Sequence, residues 1–198
     1  MENKIDDLKY IRSTMERSTK FLSLSGMSGI MAGAVALIGS FVAYLLIYKG
    51  YTVTGDLLID MTVLAGVVMF LAAVFGFYFS WQKAQKNGIK FFMPATTQLM
   101  KDAGVPFIAG GLFCLALIYN HCSYLVAAAM LIFYGIAVIN AGARTYKDIK
   151  ILGACEIILG LMAAFLARYG LLFWAVGFGV MHIVYGIVMH IKYDADAK

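Results

Sequence analysis

The sequence predicts an all-α membrane protein with six transmembrane helices, arranged as three tandem hairpins. Three observations carry this prediction. Apolar residues make up 62% of the chain and charged residues only 14%, with a mean hydropathy of +0.83; soluble domains are about one quarter charged. Long apolar runs follow one another along the chain, and most basic residues lie in every second connection between them.

Six apolar runs are long enough to cross a bilayer, which takes roughly 20 residues at 1.5 Å each. All are interpreted as helices, because lipid offers no partners for open backbone groups. Together they occupy most of the 198 residues, so 21–191 is predicted to be one transmembrane domain with no separate soluble domain. The predicted spans are about 21–48, 57–81, 104–120, 124–143, 149–168 and 171–191.

The distribution of basic residues predicts the topology. Fourteen of the 16 Lys and Arg residues lie in the N-terminal segment, after spans two and four, or in the tail 192–198. Only Lys49 and Arg168 lie on the other side. The positive-inside rule therefore predicts a multi-pass protein of the cytoplasmic (inner) membrane with both termini in the cytosol. The net charge of +5 is interpreted as a topology signal rather than a sign of nucleic-acid binding.

Two further helices are expected on the cytosolic side. Residues 1–20 carry Ile5, Leu8 and Met15 at helical spacing, which predicts an amphipathic helix on the inner surface or joined to span one. A solvated helical extension is the alternative. Pro94 favours a helix start, so a short surface helix closed by Gly104 is predicted before span three.

Glycines and aromatic residues indicate an internal repeat. Odd-numbered spans each contain two glycines seven positions apart, and even-numbered spans each contain an aromatic-glycine pair, Phe75-Gly76, Tyr134-Gly135 or Tyr185-Gly186. This pattern predicts three hairpins related by an axis along the membrane normal. Small residues allow close helix contact in lipid. The predicted packing positions are Gly26, Gly29, Gly33, Gly104, Gly111, Gly153, Gly160 and Gly186.

The three-hairpin plan resembles the bacterial acid-resistance membrane protein family. The motif Met15-Glu16-Arg17-Ser18, followed by Phe21-Leu22-Ser23-Leu24-Ser25-Gly26, resembles uncharacterised small bacterial membrane proteins of six spans. The motif covers the predicted inner helix and the start of span one, and the six-span pattern covers the rest. The resemblance implies a bacterial multi-pass protein and carries over no activity.

Glu156 and His182 are the candidate functional residues, because ionisable groups inside a span are costly and usually functional. Spans five and six turn near Tyr169-Gly170, and the two residues lie at similar distances from that turn. Antiparallel helices therefore place them at one depth, within direct or one-water hydrogen-bonding reach. Ser28, Tyr134 and Tyr185 are expected near that depth, which suggests a polar layer in the inner third of the bundle. A purely structural pair that fixes helix packing is the alternative.

Enzymatic and cofactor-dependent functions find little support. Gly26-Met27-Ser28-Gly29 with His182 superficially resembles the serine and histidine of rhomboid proteases. The serine, however, lies on span one, and the histidine expected on span two is absent. The three histidines lie at different depths, which argues against haem, and no ligand spacing suggests zinc. We therefore predict no catalytic residue, metal or cofactor, and treat an intramembrane serine protease as a remote alternative.

Two functional classes remain. The first is a non-enzymatic protein that senses or scaffolds, embedded in the lipid bilayer and presenting its cytosolic face to a protein partner. The second is a small proton-linked transporter or channel that uses the Glu156–His182 layer. The sequence leaves a homo-oligomer open and does not identify the face that would form it.

Overall fold

The computed structural model describes residues 23–194, and all regular secondary structure in this part of the chain is helical. Five helices within it are long and apolar enough to cross a membrane. The expected class of a helical protein with long apolar helices is therefore confirmed. The predicted surface helix 1–20 lies outside the described residues, as do the motif residues 15–22 and the last four residues of the tail. The helices are α1 (Gly26–Lys49), α2 (Leu57–Lys86), α3 (Pro94–Tyr119), α4 (Val126–Ala141), α5 (Ile149–Phe165) and α6 (Ala167–Asp194).

Local sequence explains where the first hairpin turns. Gly50 ends α1 in the left-handed conformation at φ 70°, where a residue without a side chain is favoured. The side chain of Asp56 accepts the N–H groups of Leu58 and Ile59, so it caps the start of α2. Asp60, one turn later, accepts the backbone N–H groups of Val53 and Thr54 and orders the connection.

The third helix corrects the prediction of a short surface helix closed by Gly104. Pro94 does begin the helix, but α3 continues without a break to Tyr119. Gly104 is absent from the positive-φ glycines, so it cannot form the left-handed stop that was expected. Pro106 lies inside the helix and has no N–H to offer the carbonyl of Asp102 four residues earlier. Asn140 of α4 donates to that freed carbonyl at 3.2 Å and restores its hydrogen bonding.

Other helix ends differ from the predicted spans by a few residues. The first begins at Gly26 instead of residue 21, because Ser25 is extended at φ −94° and ψ 136°. The second continues past residue 81 to Lys86. The fifth ends at Phe165, since a tight 3₁₀ turn, Ala167–Tyr169, begins α6. The sixth extends to Asp194 and includes the first residues of the predicted tail.

The helices pack in the order α2, α1, α6, α5, α4, α3. In the described part, α1 lies between α2 and α6, and α4 lies between α3 and α5. The buried apolar core lies where α4, α5 and α6 meet, around Leu131 and Ala163 and, nearer the other end, around Val138 and Leu152. Both α2 and α3 are largely exposed to the surroundings.

Two glycine-lined contacts bring helix backbones together. Gly26, Gly29 and Gly33 of α1 face α6, where Gly186 returns the contact. Gly153 and Gly160 of α5 face α4. These packing predictions agree with the contacts, whereas those for Gly104 and Gly111 do not. A Cβ placed at either would have no described neighbour within 4 Å, and the adjacent Gly110 contacts Phe133 instead.

The sixth helix contains two π-helical segments. Residues Ala175–Met181 and His190–Asp194 are π-helical, and the α-helical segment His182–Met189 lies between them. π-helical turns are rare and occur frequently at functional sites. In this chain the first one ends directly before His182.

Candidate functional site

Glu156 lies on the buried face of α5 and is fully enclosed, with 0% of its surface exposed. Neither carboxyl oxygen has a hydrogen-bond partner among the described residues. Gly177 of α6 leaves the space that the carboxyl occupies, because a Cβ there would lie 2.5 Å from Oε2. Buried polar groups nearly always have hydrogen-bond partners, so a carboxyl without one in this position calls for an explanation.

His182 reaches Glu156 from α6, with Nδ1 at 3.4 Å from Oε1. The structure therefore brings the two predicted residues together, although the ring directs its hydrogen bonds elsewhere. Nδ1 lies 3.0 Å from the carbonyl oxygen of Gly177, and Nε2 lies 2.7 Å from the hydroxyl of Tyr134. We refer to Glu156, His182 and Tyr134 as the buried triad.

These contacts determine which protons the imidazole carries. A carbonyl oxygen can only accept, so Nδ1 must be protonated to bond Gly177. In the neutral ring, Nε2 then accepts from the hydroxyl of Tyr134. In the charged ring, Nε2 donates to the same hydroxyl, which can act either way. His182 can therefore gain or lose a proton without losing either hydrogen bond, and its charge can be balanced by the carboxylate of Glu156.

The other predicted members of the polar layer do not join the buried triad in the described contacts. The hydroxyl of Ser28 donates to the carbonyl of Ser25 at 2.5 Å, within the first turn of α1. Tyr185 packs on the apolar cluster of Val138 and Leu152, and its buried hydroxyl has no described partner. Ser28 is thus engaged with its own backbone, and both ring nitrogens of His182 are used by other groups.

Two aromatic residues that were not predicted as part of the site lie near the imidazole of His182. Phe178 stacks on His182 at 5.9 Å between ring centroids and contacts Tyr134 at 4.9 Å. Trp174 packs against Phe178, with 5.1 Å between the ring centroids. The sequence Gly177-Phe178-Gly179 was the available signal, because glycines flanking an aromatic residue indicate close packing around it. Phe178 thus covers one side of the imidazole with an aromatic ring.

A groove of about 260 Å³ between α3 and α4 reaches the triad from the side. Its walls are apolar, and the ring of Tyr134 forms part of one of them. Tyr134 therefore connects the groove to His182. The remaining lining residues are Leu99, Met100, Ala103, Gly104, Phe107, Ala137, Val138 and Ala141.

A second polar cluster lies at the end of the bundle where α1 begins and α2 and α6 end, here called the basic end. Lys83 forms an ion pair with Asp194 at 2.6 Å, and both side chains are almost buried. The ammonium of Lys83 also donates to the carbonyl of Leu24 and to the hydroxyl of Tyr146. Asp194 accepts the backbone N–H of Gly26, which is the first residue of α1. This cluster ties three helices and one connection together.

Asp148 adds a more exposed contact at the basic end. Its carboxylate accepts hydrogen bonds from Lys192 at 2.8 Å and from Tyr193 at 2.6 Å. These hydrogen bonds hold the pKa of Asp148 below its ordinary value. The hydrogen bond from Lys192 has the larger effect, and that from Tyr193 the smaller one. The connection before α5 is thereby fastened to the end of α6.

Within residues 23–194, no three His, Cys, Asp or Glu side chains lie close enough together to bind one metal ion. The long apolar helices and the buried ionisable groups define the class as helical membrane protein. No protein-family model, curated protein or solved structure matches the chain.

Proposed function

We propose that the chain is a multi-pass protein of the bacterial inner membrane, with six spans in three tandem hairpins and both termini in the cytosol. Helix α5 serves as a short span, since its 17 residues lie at the lower limit of the usual length. The asymmetry of basic residues supports the orientation, and the basic end would then face the cytosol. The proposed relationship to the acid-resistance membrane protein family is based on the arrangement of three tandem hairpins.

The proposed function is non-enzymatic sensing of proton concentration, relayed to the cytosolic face and from there to a protein partner. The fully buried, unpartnered carboxyl of Glu156 beside His182 carries this proposal. A structural pair would hydrogen-bond directly, because an unmet buried polar group costs about 1–3 kcal/mol. Here the carboxyl has no hydrogen bond, while the imidazole keeps both of its own. This arrangement allows Glu156 and His182 to gain or lose a proton without breaking a hydrogen bond.

Helix α6 supplies the physical link from the triad to the basic end. His182 lies between its two π-helical segments, and Asp194 lies at the end of the second one. A change of charge at His182 alters its attraction to Glu156 and so favours a different winding or position of α6. Any such movement reaches Asp194, which holds Lys83 and the first N–H of α1.

The test measures whether the basic end responds to pH through Glu156. A cysteine introduced by Lys90→Cys, in a chain whose three native cysteines are replaced, carries an environment-sensitive fluorophore in proteoliposomes. We expect its emission to follow a titration curve, and Glu156→Gln to abolish that curve because the amide keeps the shape but cannot titrate. Asp60→Asn is the matched control, since it removes a carboxyl from the opposite end of the bundle. An unchanged curve in Glu156→Gln would refute the proposal.

A proton-linked transporter or channel is the second candidate, favoured by the groove that ends at Tyr134. Such a function needs the triad to exchange protons with both sides or with a solute. Proteoliposomes containing a pH-sensitive dye distinguish the two candidates. Sensing predicts proton flux no faster than in empty liposomes under an imposed potential. Flux that depends on Glu156 and is lost in Tyr134→Phe would instead assign the transporter function.

A further inference from the structure

A second groove, of about 640 Å³, lies at the basic end, where α4 ends and α5 begins beside the first turns of α3. Lys101 of α3 and Lys150 of α5 line it, and both side chains are exposed. Neither ammonium has a hydrogen bond or an ion pair among the described residues. Such a pair of cations would attract an anion. The remaining lining residues are Asp102, Val105, Ile139, Asn140 and Ala143.

Contacts between its own walls hold this groove in shape. The side chain of Asn140 donates to the carbonyl of Asp102 at 3.2 Å, and Nε of Arg144 pairs with the carboxylate of Asp102 at 3.2 Å. Gln98 donates to the other oxygen of that carboxylate at 2.9 Å. These bonds tie α3 to the end of α4 without any occupant. A ligand would therefore meet a site that is already formed, and its binding would not have to order the walls.

The acidic residue in the groove does not cancel its positive charge. Asp102 is the one acidic side chain among the lining residues, and Arg144 pairs with it. With Lys101 and Lys150, these residues carry three positive charges and one negative charge, which gives a net charge of +2. Gly142 also fixes the position of Lys150, because a Cβ there would lie 2.5 Å from Cγ of that side chain. The stem of Lys150 therefore lies against the backbone that follows α4.

The part of the groove nearer the middle of the bundle is apolar, and its surface continues along α3. Val105 lies one helical turn beyond Lys101 and is 73% exposed. Ile108 and Leu112 follow it at three and seven positions, so they share its face, and each is 64% exposed. The surface thus changes from basic to apolar from the end of the bundle towards its middle. A phospholipid presents its phosphate and its acyl chains in this same order.

We propose that an anionic phospholipid of the surrounding bilayer binds in this groove. Its phosphate lies between the ammonium groups of Lys101 and Lys150, and an acyl chain lies along Val105, Ile108 and Leu112. Lysine is a common phosphate ligand, and basic pockets between transmembrane helices bind the headgroups of anionic lipids. A free phosphate ion would satisfy the two lysines but would leave the apolar stripe of α3 uncovered, which favours the lipid.

The two ends of the same chain match this groove less well than an anionic lipid does. Residues 1–22 contain five basic and four acidic residues, and residues 195–198 contain one of each, so neither segment brings an excess of acidic side chains. The described chain also begins at a different face of α4. Leu24 packs against the cluster around Val138, whereas Ile139, about 100° further round the helix, lines the groove.

Retention of lipid by the purified protein tests the proposal. The full chain is reconstituted in vesicles of equal parts phosphatidylglycerol and phosphatidylcholine, extracted in mild detergent and measured by native mass spectrometry. We expect phosphatidylglycerol to stay bound in preference, and the double variant Lys101→Gln, Lys150→Gln to reduce its retention at least about tenfold, since each lysine near anionic lipid contributes a factor of about five. The double variant Lys86→Gln, Lys90→Gln is the matched control, because it removes the same charge from the same end outside the groove. Unchanged retention in the groove variant, or an equal loss in the control, would overturn the proposal.

Two further measurements separate a lipid from a free phosphate ion. Val105→Trp fills the apolar part of the groove without a change of charge, and the protein should stay folded because Val105 is exposed. We expect this variant to retain less phosphatidylglycerol, whereas Val67→Trp on the exposed surface of α2 should retain as much as the parent protein. An excess of inorganic phosphate should not displace the lipid. Displacement by phosphate, or full retention in folded Val105→Trp, would refute the lipid as the occupant. None of these variants changes Glu156, so the outcome is independent of proton sensing.

Discussion

The Nδ1 atom of His182 lies 3.4 Å from Oε1 of Glu156 but directs its hydrogen bond to the carbonyl of Gly177. The pair is close enough for strong electrostatic coupling, whereas the hydrogen bonding of the ring is complete without the carboxyl. The stability of the fold therefore depends mainly on the hydrogen bonds of His182, whereas the response to protons depends on its coupling to Glu156. Changes to Glu156 should affect the response to protons more than the fold.

Replacing Glu156 by methionine should leave the fold intact and increase its stability. The carboxyl has no described partner, so an apolar side chain of similar length removes an unmet polar group without breaking a hydrogen bond. We expect a gain of about 1–3 kcal/mol, the usual cost of such a group. Unfolding in mixed detergent micelles at neutral pH measures it. A clear loss of stability would mean that the carboxyl has a structural partner.

The two buried tyrosines should respond differently to loss of the hydroxyl. Tyr134→Phe removes the partner of His182 Nε2, and a lost hydrogen bond of this kind costs about 0.5–1.5 kcal/mol. Tyr185→Phe is the matched control, because its hydroxyl is buried without a described partner and its removal should be neutral or stabilising. The same unfolding assay compares both variants. Equal losses would contradict the assigned hydrogen bond.

Much of the fold followed from sequence because lipid allows few solutions for the backbone. Apolar length located the helices, and the turn at Tyr169-Gly170 correctly placed Glu156 and His182 close together. The hydrogen bonds of the imidazole could not be foreseen, since they depend on the π-helical segment before His182, which brings the carbonyl of Gly177 to the ring. Hydrophobic periodicity carries no signal for such local winding.

Lys83 shows a different limit. Counting charges placed Lys83 in the connection after span two, whereas it lies inside α2, which continues to Lys86. Nothing in that count indicated that its side chain would be buried. Its burial depends on Asp194 and Tyr146, which are far away in sequence and come together only when α6 returns to the start of α1. The prediction that Gly104 ends a helix was wrong for a different reason. A glycine can end a helix, but it can equally lie inside one, as glycines often do in transmembrane helices.

The ion pair at the basic end should show strong coupling in a double-mutant cycle. Asp194→Asn leaves the nearly buried ammonium of Lys83 without its carboxylate, and Lys83→Met leaves Asp194 with only the imidazole of His190, at 3.2 Å, as an ion-pair partner. Breaking comparable buried pairs costs about 3–5 kcal/mol. The double variant should lose much less than the sum, because it leaves neither charge behind. Measured unfolding free energies of the four proteins give the coupling. Additive losses would indicate that the two residues act independently.

The contact between Asp148 and the end of α6 should respond to acid. Its pKa in the folded protein is lowered, so its stabilising effect is complete above the ordinary value of 3.8 and is lost as the pH falls through the lower, folded value. Tyr193→Phe removes one of the two hydrogen bonds and should raise the pKa towards 3.8. The carboxyl ¹³C shift of Asp148, followed by NMR in micelles, reports both values. Asp148→Asn, which cannot titrate, identifies the signal and should abolish the acid-dependent change at the end of α6. An unshifted titration in the parent protein would show that these hydrogen bonds do not persist in solution.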